Sequence, residues 1–176
     1  MAEDGLPALG VLRNAIEMEI EGLEFYQRAS EKMKLPRAKD MFVSLVKQEQ
    51  RHIDVLSTEF SRMSEGKSWV SLEVAKAARS SPGISVFRDK DIKHAMKMRE
   101  DAGELEVLKI GIEVEQKSID YYRNAGMEST EPKAKEVFFW LVGEESGHLT
   151  ILSAEYDNRT RSGYYYNTAE FSLEVM

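Results

Sequence analysis

Residues 9–60 and 105–156 align without a gap, and 19 of the 52 paired positions are identical. Unrelated segments match at about one position in sixteen, so the chain contains an internal duplication. One unit is made twice, and its apolar face has a natural partner in its own copy. Each unit opens with apolar residues at alternating steps of three and four: Leu9, Leu12, Ile16 and Leu23, then Leu105, Leu108, Ile112 and Ile119. That is the stripe of a helix packed in a bundle. A break follows at "KLPRAK" and "TEPKAK", where Pro36 and Pro132 suit the first turn of a new helix. The second helix of each unit continues with Phe42, Leu45 and Leu56, or Phe138, Leu141 and Leu152.

Each unit therefore predicts a helical hairpin, one over 9–60 and one over 105–156. The stretch 61–104 between them carries turn and breaker residues in "SEGKSW" and "RSSPGISVFRD", which flank short helical patterns at about 70–79 and 91–100. Two antiparallel hairpins joined by so long a connection predict an all-α four-helix bundle with one long crossover, because the second pair must start at the correct end. The bundle is expected to occupy 1–160. Residues 161–176, which include "SGYYYNTAEFSLEVM", read as an aromatic tail packed on it.

Polar residues interrupt the stripes at corresponding places. The second helix runs Phe42, Leu45, Glu49, His52, Leu56, and its copy runs Phe138, Leu141, Glu145, His148, Leu152. The stripes of the two opening helices pass through Glu19 with Tyr26 and through Glu115 with Tyr122. Every helix thus points a carboxylate into the core. Four carboxylates in a low-dielectric interior cannot all stay ionised without a cation, since desolvation and mutual repulsion both favour protonation. No Lys or Arg lies on these stripes. Two divalent metals would neutralise the four charges and leave two imidazoles to complete the shell. A Glu and a His three residues apart share a helix face, so one Glu can bridge two metals while its His binds one of them. Tyr26 and Tyr122 each follow an inward Glu by seven residues, about two turns, and each can orient a carboxylate through its hydroxyl.

A single Glu-x-x-His on a helix is commonly a solvated Glu beside a structural His. Here it occurs twice, on the apolar stripe, each time 30 residues after an inward Glu, and that combination favours metal. His94 has no such company and reads as structural. Glu17, Glu21, Glu113, Glu144 and Asp120 fall off the stripe and read mainly as solvated. The nine Met read as core filler. Trp69 and Trp140 read as packing residues, with Trp140 placed to shield the site from water.

Composition narrows the classes further. The chain has no Cys, which excludes disulfides and thiolate metal sites built from these residues. A net charge of -7 and a pI near 5.2 argue against nucleic acid and anionic lipid as partners. No stretch approaches the ~20 apolar residues of a membrane span, and "MAEDGLPALG" lacks the pattern of a secretory signal. A cytoplasmic protein is expected.

The segments "EIEGLEFY" with "EQRH" and "EVEQKSIDYY" with "ESGH" resemble the rubrerythrin branch of the ferritin-like superfamily over both hairpins, and the closing "EFSLE" resembles tails of its short members. A Glu from each of two helices and a Glu-x-x-His from each of the other two is that superfamily's ligand pattern. The resemblance implies a di-iron centre bridged by Glu49 and Glu145, with Glu19 and His52 completing one iron and Glu115 and His148 the other. Manganese or zinc could substitute. It implies a homodimeric oxidoreductase that reduces hydrogen peroxide or dioxygen. The alternative is a ferroxidase or iron-binding protein, and a structural helical protein stabilised by metal is a third reading. Full-length rubrerythrins carry a rubredoxin-like iron–thiolate domain, which a chain without Cys cannot build, so the implied electron donor is a separate, rubredoxin-like protein. Peroxidase members also carry an extra Glu one turn after the inward Glu of the third bundle helix. Here Ser118 stands at that position and Gly22 at its copy, leaving the symmetric set also seen in bacterioferritin.

Overall fold

Proline sets the same corner in both repeats. Leu35 and Glu131 precede Pro36 and Pro132 and take extended backbone (φ -79, ψ 126 and φ -81, ψ 120), as steric conflict with the proline ring requires. Each proline then opens a helix at a position whose N–H would be unpaired in any case. In the computed structural model, which describes residues 5–78 and 102–161, these corners separate α1 (Gly5–Lys32) from α2 (Pro36–Ser64), and α4 (Glu104–Glu128) from α5 (Pro132–Thr160). A short α3 (Leu72–Ala77) lies in the connection. No strand occurs among the described residues.

Contacts at the helix ends fix the directions. The Tyr121 hydroxyl near the end of α4 donates to the Val11 carbonyl near the start of α1 at 2.9 Å. At the opposite end Arg37, early in α2, pairs with Glu155, late in α5, at 3.2 Å, and Arg159 pairs with Glu104 at the start of α4. The hairpins α1–α2 and α4–α5 therefore dock with α1 antiparallel to α4, and α2 packs on α5. The end of α2 and the start of α4 lie at opposite ends of the bundle, separated by a helix of 29 residues, about 44 Å. The crossover must span that length. It leaves α2 through Gly66, whose φ of +72 is the left-handed conformation that glycine adopts without penalty. α3 then rests on α2 and α5.

This is the all-α four-helix bundle with a long crossover that the duplication predicts. The expected helix at 70–79 is present as Leu72–Ala77. The one at 91–100, His94, and the tail from 162 onward lie outside the described residues. Leu105, first on its stripe, is 41% exposed because it falls in the opening turn of α4, beyond the packed middle. No helix among the described residues is long and apolar enough to cross a membrane.

The core is divided in two. One apolar cluster includes Leu12, Ile16, Leu56, Trp69, Tyr122 and Phe138; the other includes Phe25, Tyr26, Phe42, Leu45, Leu108 and Leu152. Between them, halfway along the bundle, runs a polar layer.

Candidate metal centre

The six stripe residues meet in that layer, one carboxylate from each long helix and an imidazole from each of α2 and α5. All are buried: Glu19, Glu49, His52, Glu115, Glu145 and His148 expose at most 3% of their surface. Their ligand atoms form two sets, Glu19, Glu49, His52 and Glu145, and Glu49, Glu115, Glu145 and His148, each converging within 4.8 Å. Glu49 and Glu145 belong to both sets. Among the described residues, no Lys or Arg pairs with any of the four carboxylates.

Each imidazole turns the same nitrogen to the layer. His52 Nδ1 lies 3.1 Å from Glu145, 3.2 Å from Glu19 and 3.4 Å from Glu49. His148 Nδ1 lies 2.9 Å from Glu145, 3.1 Å from Glu49 and 3.5 Å from Glu115. One N–H cannot satisfy three carboxylates at good geometry. Glu145 Oε1, His148 Nδ1 and the Nε2 atoms of both imidazoles are buried without a hydrogen-bond partner, and each such atom would carry a desolvation penalty of about 1–3 kcal/mol. A cation in each set would engage the convergent lone pairs, so the oxygen and nitrogen donors fit a pair of divalent ions.

The electrostatics of the protein alone show how much positive charge the layer requires. Burial, then repulsion from neighbouring carboxylates, raises Glu19 and Glu115 well above the ordinary range. Burial also acts to raise Glu49 and Glu145, but the close-lying imidazoles and neighbouring carboxyls outweigh it and both end lowered: Glu19 and the imidazoles act on Glu49, the imidazoles and Glu115 on Glu145. Burial disfavours charge on the imidazoles, yet the surrounding carboxylates raise His52 well above its usual value and push His148 up to about 12. Protons on Glu19, Glu115, His52 and His148, the four groups shifted upward, would bring the layer to neutrality, the task two divalent cations would otherwise perform.

Tyr26 and Tyr122 are fully buried on opposite sides of the layer. Their hydroxyls cross between the repeats: Tyr26 on α1 donates to Glu115 on α4, and Tyr122 on α4 donates to Glu19 on α1. Burial, then the charge of the accepting carboxylate, holds both phenols well above their ordinary value, so they remain neutral donors.

The structure also brings in residues that the stripe does not contain. Glu144, expected on a solvated face, sits beside the site: one oxygen lies 3.7 Å from His52 Nε2 and the other accepts from Trp140 Nε1 at 3.0 Å. The Trp140 ring packs edge-on against His52 at 5.3 Å. Glu59 and Glu155, one step further along the stripes, are buried as well. Glu17, Glu113 and Asp120 are at least partly exposed, and Arg13 and Arg123 pair with Glu17 and Asp120 in solvent.

A model of the rubrerythrin family matches residues 10–156, which takes in both hairpins and every residue of the layer. The chain belongs to the rubrerythrin family. Solved structures support the fold of this rubrerythrin-family chain. A two-domain protein from Anabaena variabilis with DJ-1/ThiJ/PfpI-like and ferritin-like domains is similar over 92% of this chain at 19% identity, with a TM-score of 0.65. This chain spans only 38% of that protein. A protein of Pyrococcus furiosus described as hypothetical is similar over 86% of this chain and 89% of its own length, at 23% identity and a TM-score of 0.62. No curated protein sequence matches the chain.

Proposed function

We propose that this rubrerythrin-family chain is a non-haem di-iron oxidoreductase that reduces hydrogen peroxide, or dioxygen, with electrons from an external donor. One observation carries the reading: two convergent ligand sets share Glu49 and Glu145 in a buried layer whose carboxylates, among the described residues, no Lys or Arg pairs with. Glu49 and Glu145 would bridge, Glu19 and His52 would complete one position, and Glu115 and His148 the other. A bound iron pair supplies the two electrons that, with two protons, take one hydrogen peroxide to two waters.

The protein's part is to fix geometry and exclude water. Each terminal carboxylate is held by a tyrosine of the opposite hairpin, so relative movement of the hairpins is opposed at both positions. The apolar clusters on either side keep bulk water out. No side chain acts as a covalent nucleophile. These residues contain no Cys to carry an iron–thiolate centre, and a rubredoxin-like protein is the candidate donor. We further propose iron as the native metal, a homodimer as the assembly and the cytoplasm as its place.

A ferroxidase is the second reading, and one feature favours it. A Cβ at Gly22 would lie 3.7 Å from the Glu49 carboxyl carbon, so this position faces the site yet offers no ligand, and its copy is Ser118. Single-turnover oxidation of the anaerobic ferrous-loaded protein separates the two. Faster oxidation by peroxide than by air, with one peroxide consumed per iron pair, is expected. Preference for air, with iron accumulating beyond the two ligand sets, would establish the ferroxidase instead.

A further inference from the structure

The duplication provides a comparison within the molecule. The six residues of the layer and both tyrosines are repeated identically 96 positions apart, whereas the residues behind the imidazoles are not. Trp140 and Glu144 stand behind His52, and their copies in the first repeat are Ser44 and Gln48.

The surroundings differ accordingly. Trp140 Nε1 anchors Glu144 at 3.0 Å, and the other carboxylate oxygen lies 3.7 Å from His52 Nε2, a short side-chain adjustment from a hydrogen bond. Lys76 Nζ on α3 covers the Trp140 ring at 4.2 Å, which holds this arrangement from outside. In the other repeat Gln48 turns to Ser44, with contacts of 3.4 Å to its carbonyl and hydroxyl; neither Nε2 makes a hydrogen bond, but among the described residues only His52 Nε2 has a carboxylate beside it.

An imidazole that binds a cation through Nδ1 carries its proton on Nε2. A carboxylate at that proton orients the ring and increases its basicity as a ligand; an amide does so far less, and an amide turned elsewhere not at all. We infer that the two metal positions are inequivalent. The position containing His52 binds a divalent cation more tightly and fills first, with Glu144 as its positioning residue, and the position containing His148 is the exchangeable one. This rests on the dinuclear reading above.

The test is stepwise titration of the metal-free full chain with cobalt(II) against a chromophoric chelator, for the wild type, Glu144→Gln and Gln48→Glu. Two cobalt ions per chain are expected, the first bound more tightly than the second. Glu144→Gln should weaken the first step about 10-fold or more, the scale on which such supporting groups act, and Gln48→Glu should tighten the second. Glu144 keeps 28% of its side chain in solvent, so the metal-free variant should melt like the wild type. Unchanged constants in Glu144→Gln, with two cobalt ions still bound, would overturn the inequivalence alone. A wild-type chain that binds no cobalt would overturn the dinuclear reading and this inference with it.

Discussion

At the residue scale, Glu59 shows a buried carboxylate whose partners offset its burial only in part. Burial lifts it from 4.5 to about 7, against the opposing pull of the Val70 amide, Arg62 and Lys133. A carboxyl raised on folding leaves stability intact below its unfolded value and removes it as pH climbs to the folded value. The melting temperature of the metal-free protein should therefore fall from pH 4.5 to 7 more steeply than that of Glu59→Gln. Subtracting the two curves removes the contribution of groups common to both, and parallel curves would contradict the account. Glu59 was within reach of the sequence, since the steps of three and four that give Phe42, Leu45, Glu49, His52 and Leu56 reach Glu59 next, as they reach Glu155 in the copy. Glu144 was not. It is one residue off the stripe, and although Trp140 anchors it from four residues back on its own helix, what brings it to the site is His52 on another helix, which spacing along one helix cannot register.

At the element scale, the prolines and stripes made the hairpins legible, because the corner is a local backbone restriction and the stripe a local periodicity. The crossing of the tyrosines was not legible. Spacing places Tyr26 two turns from Glu19 on its own helix, yet it serves Glu115, because antiparallel docking of α1 on α4 carries each tyrosine past the carboxylate of the other. The polar layer interrupts a continuous stripe on all four long helices, so its presence is a cost to the metal-free fold. Replacing its six residues with Leu, and the two tyrosines with Phe, should leave the metal-free protein equally stable or more stable, by up to about 4 kcal/mol in chemical denaturation. Loss of folding in that variant would show that the layer holds the bundle together.

At the scale of the whole molecule, the division of the core places the charge where protons and metal ions compete. Burial and the crowding of carboxylates push Glu19, Glu115, His52 and His148 of the metal-free layer toward their protonated forms. Two divalent ions should displace about four protons, and affinity should rise with pH, since metal ligands bind in their deprotonated forms. Calorimetry in buffers of differing ionisation enthalpy counts the protons released, and a count near zero would contradict this charge balance. The bundle and its long crossover could be read from the duplication, because two similar hairpins have few ways to share one core. What the first repeat lacks, a carboxylate to stand behind the imidazole of the second, becomes meaningful only once the hairpins are docked.

Anomalous diffraction at the iron edge, from crystals of the iron-loaded protein, decides whether the layer holds a metal pair. Two peaks are expected in the polar layer, both flanked by Glu49 and Glu145, one within reach of Glu19 and His52 and the other of Glu115 and His148. A well-ordered layer with no iron, or iron bound only elsewhere on the bundle, would contradict the dinuclear reading.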